Sequence, residues 1–186
     1  MANHEAKLGL GLSTGMFYHA PAETALPAYP LDTLGAAWTK VGDVSSDGIS
    51  VAFGKTTTDF RTWANQIKRT ALTEHNEDIS VPIMDTTAEA FKTVFGDDAV
   101  TETAATAAHG KLVEVELSKG ELPDEEAYLF LMKDGDDAIM IGCTRGQIKA
   151  VADVAFQPGS LITWNPTITA LGNGWKLITD DGDTTS

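Results

Sequence analysis

From Gly48 onward the apolar residues of this chain recur at every second position, in one short run after another. Ile49, Val51 and Phe53 fall on one side, with Ser50, Ala52 and Gly54 on the other. Ile79, Val81 and Ile83 repeat the alternation, and Val113, Val115 and Leu117 alternate with Glu114 and Glu116. Period two marks strands buried on one face. Tyr128 to Met132 is apolar on both faces, and further strands are expected over 138–143, 147–156, 161–170 and 175–179. Asp47-Gly48 supplies turn chemistry before the first run, and Asp134-Gly135-Asp136 reads as a hairpin turn.

One segment alone has helical spacing. Ala88, Phe91, Val94 and Phe95 form an apolar stripe at i, i+3, i+6 and i+7. Thr86 and Glu89 fit a capping box with Thr86 as N-cap, and Gly96 is placed to stop the helix. The spacing predicts a helix over 86–96, seated on a sheet through Phe91, Val94 and Phe95. Seven or eight strands and one helix make the chain mainly β, a sandwich or barrel with a flanking helix. Residues 1–37, punctuated by Gly9, Gly11, Gly15, Pro21, Pro27 and Pro30, read as an extended N-terminal arm with one short strand near 15–20. Residues 38–180 would be the β domain and 181–186 a flexible tail. Within the domain, 55–77 reads as a long polar loop, and long loops in compact domains are often functional.

The chain has 186 residues, 42% hydrophobic and 22% charged, which suits one globular domain. No stretch approaches the roughly 18–20 apolar residues of a membrane span. The N-terminus lacks a basic region followed by an apolar core, so no signal peptide is expected. Cys143 is the sole cysteine, which rules out an internal disulfide. The net charge of −14 argues against a protein that grips nucleic acid, since phosphate binding needs a basic face. It leaves open a surface past which nucleic acid slides.

Catalytic patterns are missing. His4, His19, His75 and His109 stand at no metal-ligand spacing. Glu74, His75, Glu77 and Asp78 read as a solvated cluster. Gly9, Gly11 and Gly15 lack the spacing and the preceding strand of a dinucleotide fingerprint. Asp134, Asp136 and Asp137 lack the closing glutamate of a calcium loop. No glycine elbow surrounds Ser13 or another hydroxyl, and Cys143 sits in an apolar strand. No enzyme activity, cofactor or metal is expected.

Charge is distributed unevenly. Lys55, Arg61, Lys68 and Arg69 oppose Asp59 alone, a local +3. From Glu114 to Asp137 nine acids oppose Lys119 and Lys133, a local −7. A basic loop on so acidic a chain is complementary to the acidic face of another copy, and such patches set orientation and register. Trp63, among neighbours too polar for a core strand, points to an interface. Trp38 fits core packing and an interface equally well.

The stretch WTKVGDVSSDGISVAFGK, followed by DFRTW, resembles the N-terminal third of major tail proteins of long, flexible-tailed bacteriophages, above all those infecting actinobacteria. The residues that carry the likeness are Trp38, Gly42, Val44, Asp47, Gly48, the strand Ile49 to Phe53, and Arg61 with Trp63. A strand, a T-x-x-E helix and a strand-rich C-terminal half follow in the same order. The resemblance implies a tail tube subunit of the virion, assembled in the host cytoplasm. Six copies would form a ring whose inner sheets join into a barrel, and rings would stack into a conduit through which DNA passes without specific binding. Phe60, Arg61, Trp63, Lys68 and Arg69 would make ring-to-ring contacts, and Trp38, Asp47 and Gly48 would shape the turn and barrel. Implied partners are other copies and the tail terminator, tape measure and distal tail proteins, with no membrane. A monomeric β-sandwich binding module, a tail decoration or a carbohydrate binder with Trp164 and Trp175 as platforms, is the alternative.

Overall fold

The computed structural model describes residues 9–12, 16–118 and 120–182. Expectations for the first eight residues, for Gly15 and for the last four residues lie outside these. In chain order the elements are β1 (Phe17–Pro21), β2 (Thr39–Gly42), β3 (Ser50–Arg61), β4 (Ile67–Ser80), α1 (Ala88–Phe95), β5 (Val100–Thr103), β6 (Leu112–Val115), β7 (Glu126–Asp134), β8 (Asp137–Val151), β9 (Pro166–Ala170) and β10 (Lys176–Asp180). The main sheet runs β2-β1-β7-β8-β9-β4-β3, with β10 also paired to β8, and β5-β6 form a separate ribbon. The expected class holds: the chain is mainly β, antiparallel, with one α-helix.

The ends of the sheet meet. Beyond β2, Val44 bridges Ile83, just past β4, and Ile83 in turn bridges Trp164, just before β9. Ser45 N donates to Pro82 O at 2.8 Å and Met84 N to Asp43 O at 2.9 Å. The sheet therefore curls on itself like a barrel, a shape that removes most exposed edges.

β7 is buried on both sides, as its continuous apolar run requires. Tyr128 and Phe130 face a cluster with Phe17, Val41, Ile79, Val81, Ile148 and Ile168. Leu129 and Leu131 face a second cluster with Met140, covered by Leu26, Leu34, Trp38 and Ile178. β8 is one strand of fifteen residues where two were expected. The polar break Thr144-Arg145-Gly146 stays in the ladder because Arg145 pairs outward with Glu125. Gly146 leaves room for Tyr128, whose Cδ2 would lie 2.9 Å from an added Cβ.

The short strand expected near 15–20 is present as β1, which pairs with both β2 and β7, and its Phe17 is 0% exposed, stacked on Phe130 at 4.7 Å. Two other expectations need correction. The helix cap is Thr87, whose Oγ1 accepts from Ala90 N at 3.2 Å. The capping box fails because Glu89 reaches away to His19. Residues 55–77 are no loop, since most of them form the β3-β4 ladder. Elsewhere α1 stops at Gly96, which takes φ 93°, a conformation that favours glycine.

His19 ties three elements together. Its Nδ1 lies 2.9 Å from Glu126 on β7 and its Nε2 2.8 Å from Glu89 on α1, with the ring side chain 13% exposed. Burial lowers its pKa, but the hydrogen bonds and charges of Glu126 and Glu89 outweigh that and leave it raised. The imidazolium can donate to both carboxylates; the neutral ring can donate to only one.

Two outcomes follow. Phe17→Ala should cost about 3–5 kcal/mol in urea unfolding, because it opens a cavity in the core; a peripheral arm would lose far less. A pKa raised on folding gives stability that is fully present below about pH 6.5 and lost as pH rises through the folded value. His19→Gln should therefore destabilise the protein most below about pH 6.5, with the gap to wild type narrowing at alkaline pH.

Candidate functional site

The segment that sequence reasoning took for a loop is a hairpin that leaves the body. β3 and β4 pair from Ser50↔Ser80 out to Arg61↔Ile67. Only Asp78, Ile79 and Ser80 pair onward to β9. From Phe53 to Arg61, at about 3.3 Å per residue, the free part reaches roughly 25–30 Å. Almost every residue on it is exposed on both faces. Two bulges, between Thr56 and Thr57 and between Phe60 and Arg61, increase its twist.

The tip is held by its own hydrogen bonds. Thr62 N donates to Gln66 O at 2.8 Å, Asn65 N to Thr62 O at 2.9 Å, and Arg61 Nη1 to Asn65 O at 3.1 Å. Asn65 takes φ 61°, which asparagine tolerates better than most residues. This frame presents Trp63 at 106% relative exposure, with no neighbour covering it. Phe60 and Ile67 are also exposed near the tip, and Phe53 and Leu72 lie nearer the base. Five large apolar side chains on this one ribbon are thus left to water in the single chain.

Charge surrounds these apolar groups. Arg61 lies 3.6 Å from Asp59, which also accepts from Thr70 Oγ1 at 2.7 Å. Among the described residues, Lys55, Lys68 and Arg69 make no ion pair within the chain. Phe60, Arg61, Trp63, Lys68 and Arg69 thus stand together on one protruding element. Phe53, Ile67 and Leu72 belong with them and were missed; isolated large apolar residues in a polar run were the available signal.

The other singled-out residues lie elsewhere. Asp47 and Gly48 form a turn in which Gly48 N donates to Ser45 O at 2.9 Å and Asp47 N to Ser45 Oγ at 3.1 Å. Gly48 sits at φ 69°. Trp38 is not brought to this turn: it packs over the cluster of Leu129, Leu131 and Met140, while Ile49 joins the other cluster. Val94 is buried in that same cluster as Ile49, and Phe91 and Phe95 meet Trp164 edge-on at 5.2 and 5.6 Å. Each such ring pair adds about 0.5–1.5 kcal/mol beyond area burial.

Trp164 and Trp175 are not open ligand platforms. Trp164 is buried, and Trp175 Nε1 donates to Glu77 O at 3.1 Å beside Phe130. Burial pushes the Cys143 thiol up to about 12, far from a reactive thiolate. Among the described residues no group of three or more His, Cys, Asp or Glu is set to hold a metal, and no helix is long and apolar enough to cross a membrane.

Comparison with known proteins agrees with a structural role. A family model described as phage tail tube protein matches residues 2–179. No curated protein matches the chain. Among solved structures, the chain is similar to the tube-terminating cap of the anti-feeding prophage, at 11% identity and TM-score 0.46, over 97% of this chain and 99% of that one. On the family match, which spans nearly the whole sequence, the chain belongs to the phage tail tube proteins, structural components of the virion tail rather than enzymes.

Proposed function

We propose that this chain polymerises into the tube of a long, flexible phage tail, as stacked hexameric rings, with the β3-β4 hairpin as the element that joins one ring to the next. The observation that carries this reading is the hairpin itself. A self-braced ribbon with an uncovered Trp63 and a basic surround stabilises nothing within its own chain. The physical reason to expose it is a partner, and the surrounding acidic chain offers one in another copy.

Two further features support assembly. Among the described residues the outer edge of β3 has no partner strand, which leaves main-chain groups free to pair with a neighbouring subunit. Heterologous contacts repeated around an axis close into rings, whereas stacked ones propagate. Six chains at −14 each give a ring of −84, a surface that offers phosphate few cationic contacts. DNA would pass through such a lumen without specific binding. The tail terminator, tape measure and distal tail proteins would meet the tube at its ends and bore, in a virion of an actinobacterial phage assembled in the host cytoplasm. The burial of Trp164 weighs against the alternative of a monomeric binding module.

Replacing Phe60 to Arg69 by a two-residue turn should leave a folded protein that forms no tubes by negative-stain microscopy. Full-length tubes from that variant would refute the hairpin's role. Trp63→Ala should raise the concentration needed for assembly by about 30-fold or more, as expected of an interface aromatic worth ≥2 kcal/mol, with unfolding free energy unchanged. Light scattering across a dilution series reads the first quantity and urea titration the second.

A further inference from the structure

We propose that Trp63 of one copy docks in an acidic-rimmed apolar groove at the opposite end of a second copy. The proposal rests on the reading of the hairpin as a stacking element and names the surface that receives it. The groove has a volume of about 140 Å³ and lies between the end of α1, the segment before β7, and the end of β8. Its apolar wall is built by Phe95, Leu122 and Pro123, and Leu122 is 56% exposed. An apolar void of about 150 Å³ is enough to take a benzene-sized guest. One aromatic ring is therefore of the right size for the groove, and an aromatic suits the wall.

The rim identifies the occupant. Glu116 and Glu121 line the groove, and the adjoining cleft, which shares Phe95, Leu122 and Pro123, adds Asp97 and Asp124. Among the described residues that line the two, Lys149 is the one cation against these. The tip offers the complement: an exposed indole flanked by Arg61, Lys68 and Arg69. Lys68 is the extra residue of the outer bulge, since Phe60 pairs with Arg69 and Arg61 with Ile67. An anchor side chain in an apolar pocket with charges around it is the usual anatomy of a tight protein contact.

Strand register fixes the direction. Ser80 pairs with Thr167 and Asp78 with Thr169, while Thr167 pairs with Ala150 and Thr169 with Gln147. The hairpin therefore leaves the sheet in the direction that β8 takes from Val151 back toward Gly146. The groove is walled by Ile148 to Val151, at the other end of that strand segment. The groove lies beside the hairpin's base and the tip runs away from it, so a chain cannot fill its own groove. A head-to-tail contact of this kind repeats without closing, as a stack of rings requires.

Zero-length carbodiimide coupling of the wild-type protein tests this, with the linked peptides identified by mass spectrometry. Assembled tubes should yield intermolecular links from Lys68 to Glu116, Glu121, Asp97 or Asp124, absent from unassembled protein. Tubes in which Lys68 links only to carboxylates outside this rim would overturn the docking site and leave the stacking reading intact. Wild-type protein that makes no tubes at all would overturn the stacking reading, and the docking site with it. A charge exchange supplies the second arm. E116K with E121K should raise the assembly concentration about tenfold or more, and adding K68E with R69E should recover most of it. No loss with the first pair, or no recovery with the second while the variant remains folded, would count against the groove.

Discussion

Burial of β7 on both faces is the constraint on which the rest of the molecule depends. Antiparallel sheets often leave one face to water. Here Tyr128 and Phe130 need one cover and Leu129 and Leu131 another. The first comes from the curled sheet itself, closed where Val44 meets Ile83 and plugged by α1 through Val94 and the rings around Trp164. The second comes from the chain between β1 and β2, which lays Leu26, Leu34 and Trp38 over Met140. Both covers use residues from the N-terminal 38, so that part of the chain is as necessary to the core as any strand.

A body that closes its own sheet has little reason to extend one hairpin into solvent. β3 and β4 do so, and they carry their apolar side chains outward rather than folding them back. Exposing Phe53, Phe60, Trp63, Ile67 and Leu72 is unfavourable, a cost that another surface covering them would recover. The bulges and the tip hydrogen bonds hold the ribbon in shape in the single chain, which would reduce the ordering cost on association. Tube assembly is a direct use of such a shape, and membership in the tail tube family gives it a setting.

Much of the body was legible because burial writes itself into period. Ile79, Val81 and Ile83 alternate and are all fully buried; Gly96 stops the helix, and Gly135 turns β7 into β8 at φ 63°. The hairpin was illegible as a ladder for the converse reason. Water lies on both its faces, so the sequence KTTTDFRTW carries no alternation, and only its β-branched threonines lean toward a strand. β1 was legible as a short strand near 15–20, but its place between β2 and β7 was not, because those partners are distant in sequence. Trp38 went to the second cluster, a choice of face that no local pattern encodes. For the candidate site, composition found the basic and aromatic residues, while their arrangement on one rigid, projecting ribbon needed the fold.

The central claim is that the hairpin becomes covered when copies assemble. Amide hydrogen exchange over residues 53–77, compared between dissociated and assembled protein, measures this most directly. The account predicts that amides along the free edge of β3 and at the tip exchange fast in the dissociated chain and become protected in the tube. Equal exchange in both states, with tubes present, would contradict it.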